Sequence, residues 1–233
     1  MTKKTIAILV IFFLIFSVLY ASRVNNTITL EDKIYINDHY IKLENVDPYS
    51  TSYDEQLNLI KAIQHSVFLV APTQGGIDKG KMREPKDLFI KKTALCYDRS
   101  RVIEKILRFY GFKTRHISIY STKETGSILK SIFTPGINSH ALTEVKTSKG
   151  WLVVDSNEEW VSLDYESQPI SISEIIEKKA SVKERLLNDF PSFIYLEDFF
   201  VIYGLYSRHG MYYPPFNIIP DINYSEFLYN LKF

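Results

Sequence analysis

The chain has 233 residues, 45% hydrophobic and 24% charged, with a net charge of +1. Such a composition builds a folded protein with a sizeable core and excludes a disordered chain. The balance of 28 basic against 27 acidic residues leaves no footprint for nucleic acid, so none is expected as a partner.

Lys3 and Lys4 precede an apolar run from Ile6 to Tyr20 that only Ser17 softens. A positive start before such a run is an export signal. The run is shorter than the ~20 residues of a comfortable span. A cleavage site needs small residues at alternate positions, but Leu19 stands two before Ala21 and Tyr20 two before Ser22. Residues 1–21 therefore read as an uncleaved anchor, with a cleaved signal peptide as the alternative. Two lysines retained in the cytoplasm put the remainder outside, held to the membrane by this segment or secreted if it is cut.

Residues 22–51 read as a polar linker and a short β-hairpin, KIYIN and YIKLE around Asn37-Asp38-His39. Over 52–70, Leu57, Ile60, Ile63 and Val67 recur at helical spacing, and Pro72 stops the helix. The glycine-rich, charged stretch TQGGIDKGKMREPKD reads as a loop. A helix over about 96–110 carries Ile103, Leu107 and Tyr110 on one stripe. Arg101, Glu104, Lys105 and Arg108 form what reads as its wet face, with Glu104 and Arg108 an i,i+4 pair, and Gly111 is its stop. Three strands follow: KTRHISIY, SHALTEVKT and WLVVDS, the last two joined by a turn at Ser148-Lys149-Gly150. Beyond Trp160, residues 170–189 read as helix in one or two pieces, and an aromatic stretch ends in a Pro-Pro break. The division is a core domain at 52–165 and a helical, aromatic-rich extension at 166–233.

Cys96 is the one cysteine, so it makes no intramolecular disulfide. It opens the helix of 96–110 on the core-facing stripe, where free amides and the positive helix end favour a thiolate. His140 opens the second strand and Asp155 closes the third, and a hairpin returns both to one end of a sheet. Thiol, imidazole and carboxylate are the parts of a nucleophile system: the thiol attacks, the imidazole moves the proton, the carboxylate fixes the ring. Whether the three touch depends on a register the sequence leaves open. Taken one by one, a buried cysteine, a structural histidine and a turn aspartate are the commoner readings. The other histidines, His39, His65, His116 and His209, lack ligand spacing, and no metal or organic cofactor is expected. Asp98 and Arg99 read as ordinary first-turn residues. Gln74 has the residue type of an oxyanion donor, and reads more simply as a solvated loop side chain.

The run REPKDLFIKKTALCYDRSRVIEKILRFYGFKTRHISIY resembles the core of the transglutaminase-like superfamily: a cysteine opening a helix, then Gly-x-x-x-Arg into a strand, here Cys96, Gly111 and Arg115. SHALTEVKTSKGWLVVDS resembles its second and third motifs, through His140, Glu144 with Val145, Gly150 with Trp151, and Asp155. The resemblance covers roughly residues 52–160. It departs from the pattern at Ala94-Leu95 before the cysteine, Leu142 after the histidine and Ser156 after the aspartate. It implies a papain-like α+β fold with the nucleophile helix packed on an antiparallel sheet. It implies Cys96 as nucleophile, His140 as general base and acid, and Asp155 as the orienting residue. The reaction implied is acyl transfer through a thioester on protein or peptide substrates. Hydrolysis is the expectation for microbial branches; cross-linking, or a non-catalytic domain that binds in the same cleft, are the alternatives.

Overall fold

The computed structural model describes residues 3–43, 47–72, 74–214 and 218–232. Glu44 of the expected hairpin and Pro215 of the Pro-Pro break lie outside them. Helix α1 (Lys3–Ala21) is apolar after Lys3, Lys4 and Thr5 except at Ser17, and buries none of its residues. It is long and apolar enough to cross a membrane.

The segment after α1 is neither a linker nor a hairpin. Ser22 and Val24 are buried, and Val24 N–H donates to Ile222 O at 2.8 Å. Helix α2 (Leu30–Tyr35) follows and runs into a π-turn at Ile36–Tyr40. The β-forming Ile34-Tyr35-Ile36 run is overruled by a reciprocal capping box, in which Thr29 accepts from Asp32 N–H and Asp32 accepts from Thr29 N–H.

Helix α3 (Tyr53–Val70) begins at a second capping box, Ser52 with Glu55, and buries Leu57, Ile60, Ile63 and Val67 as the periodicity predicts. The loop predicted as far as Asp87 ends earlier, because Pro85 opens the short helix α4 (Pro85–Lys91). Helix α5 (Cys96–Phe109) packs against α3 and the sheet. Then come β1 (Thr114–Ser121), α6 (Ile128–Phe133), β2 (Ser139–Lys146) and β3 (Trp151–Val154). Helices α7 (Ile172–Glu177) and α8 (Lys179–Arg185) are the two pieces of the predicted helical region. After them lie β4 (Phe199–Tyr203), β5 (Leu205–Ser207), β6 (Asp221–Ile222) and α9 (Tyr224–Phe227).

The main sheet is antiparallel, ordered β3-β2-β1-β4. The extension is therefore not simply helical. Its aromatic and β-branched run FFVIY supplies the edge strand β4, with Val201 opposite Ile119. One sheet face, with Val145, Leu152 and Val154, packs on α3 and α5. The other, with Ile119, Leu142 and Val153, is covered by α7, α8 and Tyr195. The fold is α+β, with the helix that begins at Cys96 laid on an antiparallel sheet.

The polar face of α5 is not wet. Arg101, Glu104 and Lys105 are buried, because segments remote in sequence fold over them. Lys105 Nζ lies 2.6 Å from Asp32 Oδ2, Arg101 Nη2 donates to Glu84 at 3.1 Å, and Tyr206 Oη donates to Glu104 at 2.7 Å. The pair Glu104–Arg108 forms at 2.9 Å, within this interior. Amphipathic spacing identified which residues share a face, and a helix with charge on one side is ordinarily solvated there. Here the charges find partners, which is the condition for burying them.

His116 lies in the same interior, stacked on Tyr206 at 4.0 Å with no hydrogen-bond partner for either ring nitrogen. Burial depresses its pKa from 6.5 to about 4, against the attraction of Glu104. A neutral native ring and a chargeable unfolded one make stability fully present above pH 6.5 and lost as pH falls toward 4. The contribution is at most about 3 kcal/mol. His116→Phe keeps the stack and will flatten the melting temperature between pH 6.5 and 4, measured on the full chain in detergent.

Candidate active site

Cys96 sits at the first position of α5, where the leading amides have no helical partner. The turn is fixed from below: Asp98, wholly buried, accepts from Leu95 N–H at 3.0 Å and Ile77 N–H at 3.1 Å, and pairs with Arg83 Nε at 2.9 Å. Burial raises the Asp98 pKa more than these contacts lower it. The thiol is half-buried and opens into a cleft of about 130 Å³ that His140, Tyr97, Tyr120, Tyr206 and Arg208 also line. It is not sunk among aliphatic side chains, as the core-facing stripe alone would have it.

His140 is the second residue of β2, on the strand face that carries Leu142. Thr143, on the opposite face, bonds Ser100 of α5 at 3.2 Å. The ring and the thiol thus come from opposite sides of the sheet and line one cleft at the strand end, near enough that each shifts the other's pKa. His140 Nε2 lies 2.8 Å from Asp155 Oδ2, which leaves Nδ1 for the sulfur. Asp155 follows the last residue of β3. Thr143 stands opposite Val154, and that register returns Asp155 beside His140.

Asp155 is saturated. Oδ1 accepts the backbone N–H of Asn157 at 2.7 Å and of Glu158 at 3.1 Å; Oδ2 accepts Tyr195 Oη at 2.7 Å as well as the imidazole. Tyr195 also meets the His140 ring edge-on at 6.2 Å.

The electrostatics follow from these contacts. Burial pushes the Cys96 thiol up, but the hydrogen bond and charge of His140, with the amides of Ala141 and Tyr97, bring it net below its ordinary value. Burial opposes a charged His140, yet the carboxylate of Asp155 and the bond to Cys96 raise its pKa to about 10. Burial raises Asp155 too, but His140, Tyr195 and the Asn157 amide hold it below the usual carboxylate range. Each shift favours the charged form, the direction that a thiolate–imidazolium pair backed by a carboxylate requires.

The sequence reading missed the groups that hold this arrangement. Gln64 of α3 donates through Nε2 to the carbonyls of Asp155 at 2.8 Å and Trp160 at 2.9 Å, pinning the chain on both sides of the Asp155 turn. A glutamine inside an apolar helical stripe was the available signal. Arg99, buried and read from sequence as an ordinary first-turn residue, donates to Ala94 O at 2.7 Å, to Ser156 O and to Asn157 Oδ1 at 2.5 Å. It ties the chain entering Cys96 to the chain leaving Asp155. Tyr195, remote in sequence, gave no local signal. Gln74 is exposed and does not line the cleft. Among the described residues no cluster of His, Cys, Asp or Glu has the form of a metal site.

Residues 47–156 match the family model of the transglutaminase-like superfamily. No curated protein and no solved structure matches the chain.

Proposed function

Residues 47–156 are a transglutaminase-like superfamily domain, and from that premise we propose that the chain is a cysteine acyl-transfer enzyme, anchored by α1 with its domain outside the cytoplasm. The observation that carries this reading is that Cys96 and His140 line one cleft with His140 Nε2 2.8 Å from Asp155 Oδ2, and the pKa of each of the three is displaced toward its charged form. The Cys96 thiolate attacks a carbonyl carbon of a protein or peptide substrate. The imidazolium gives its proton to the leaving amine, and a thioester remains on the sulfur. His140, now neutral, takes a proton from the acceptor, which attacks the thioester and releases the Cys96 thiolate beside the re-formed imidazolium. Asp155 keeps the ring oriented through both halves and stabilises its charged form whenever the ring holds the proton. The free amide of Cys96 at the helix start is the natural donor to the oxyanion. Water as acceptor gives hydrolysis, the reading favoured here; a primary amine gives cross-linking.

The test uses the full chain in detergent, with casein and a fluorescent primary amine. New peptide N-termini that depend on Cys96 support hydrolysis, and Cys96-dependent fluorescence in casein supports cross-linking. If neither appears and iodoacetamide labels Cys96 only near the ordinary thiol pKa of about 8.5, the enzyme reading is wrong.

Asp155→Asn will lower turnover by several orders of magnitude, up to about 10⁴-fold, because asparagine keeps the geometry but no longer stabilises the imidazolium. The melting temperature will change little, since an amide oxygen still accepts the Asn157 N–H. Parallel loss of stability and turnover would make Asp155 a packing residue only.

A further inference from the structure

The cleft over Cys96 holds a fixed cation and no carboxylate. Its thirteen lining residues include Arg208, His140 and His209 and no aspartate or glutamate. Arg208 is held in place there. Its Nη1 donates to the carbonyls of Ser131 at 2.9 Å and Ile132 at 2.7 Å, at the end of α6, and its guanidinium lies 4.8 Å from the centre of the Tyr120 ring, itself a wall of the cleft. Among the described residues no carboxylate pairs with Arg208, and its hydrogen bonds all leave from Nη1. The other arginines near the nucleophile are spent: Arg83 on Asp98, Arg99 on the backbone around Asp155. A fixed guanidinium with a free Nε–Nη2 edge, lining a cleft that holds no carboxylate, is a carboxylate receptor by geometry and by charge.

We infer that Arg208 is a specificity residue for the reaction proposed above: it binds a carboxylate that the acyl donor carries close to its reacting carbonyl, so the substrate is an anionic peptide. The inference rests on the reading of Cys96 as nucleophile. A carboxylate paired with the Nε–Nη2 edge orients the donor over the sulfur, while neutral donors enter without that anchor.

The sulfur itself reports the effect without a known substrate. Iodoacetate and iodoacetamide alkylate the same thiol and differ in charge. In the parent chain the ratio of the iodoacetate to the iodoacetamide rate will exceed that of free cysteine, and Arg208→Gln will lower the ratio about tenfold with the iodoacetamide rate nearly unchanged, the scale of a lost charged hydrogen bond. Arg208→Lys, which keeps the charge and protects the fold, will retain part of the preference. Two short peptides then name the source of the carboxylate: one with a free C-terminus and no acidic side chain, the other amidated and containing aspartate. The correct source protects Cys96 from iodoacetamide in the parent but not in Arg208→Gln, and an amidated neutral peptide protects in neither. If Arg208→Gln slows both reagents equally, Arg208 only caps α6 and the inference fails while the nucleophile stands. If neither reagent labels the parent near neutral pH, the nucleophile reading fails first and takes this one with it.

Discussion

His140→Ala will cost the most activity of any change that leaves the sulfur in place. The thiol of Cys96 remains half-buried after the substitution, so the desolvation that raises its pKa persists, while the contributions of His140 that outweigh it are gone. The thiol pKa will therefore rise from below its ordinary value to that value or above it. Labelling by iodoacetamide at pH 6.5 falls about tenfold for each unit of that rise. Turnover falls further, on the order of 10⁴-fold or more, because the same ring is the proposed proton donor to the leaving group. The fold will survive. Asp155 keeps Tyr195 and the amides of Asn157 and Glu158 as donors, so its charge stays compensated when the ring is removed. The measurement is the pH profile of alkylation for parent and variant on the full chain. A variant that labels at pH 6.5 as fast as the parent would separate His140 from the thiol and end the nucleophile proposal.

Asp98→Ala will do the opposite, taking away the fold and with it the site. Asp98 and Arg83 are both fully buried, and Arg83 also lies 4.5 Å from the centre of the Tyr212 ring. Removing the carboxylate leaves a guanidinium in the interior with its countercharge gone, and strips the acceptor from the Leu95 and Ile77 amides. Breaking a buried pair on one side costs about 3–5 kcal/mol. For a chain of this size that is a fall in melting temperature of about 10 °C or more. The first turn of α5 loses its anchor, so Cys96 reactivity will fall in the fraction that stays folded. The double change Asp98→Ala with Arg83→Met removes the stranded charge and will recover part of the stability. Thermal melts of the single and double variants decide it: equal melting temperatures would mean that Asp98 acts through the two amides alone.

The two variants divide the site along a line that also runs through the sequence. The helices at 53–70 and 96–109 and the strands around His140 and Asp155 follow from spacing, since apolar residues at period 3.6 or 2 dictate which face turns inward whatever lies beyond. Cys96, His140 and Asp155 stand in short segments whose order and turn length bring them to one sheet end. The capping box at Thr29 was also present in the sequence, yet the β-forming run behind it suggested a hairpin. There a local hydrogen-bond pattern outweighed propensity.

What the sequence determines by itself is thus the identity of the helices and strands that carry the three proposed site residues, because periodicity is a property of neighbours along the chain. What only the tertiary structure decided is the environment of those groups. The polar face of α5 became an interior because Asp32, Glu84 and Tyr206 arrive from distant segments with matching partners. Tyr195 reached Asp155, and Arg99 joined the two ends of the site, for the same reason. Whether a charge is solvated or buried depends on contacts made across the whole chain, and a linear pattern does not encode which remote segment will supply them.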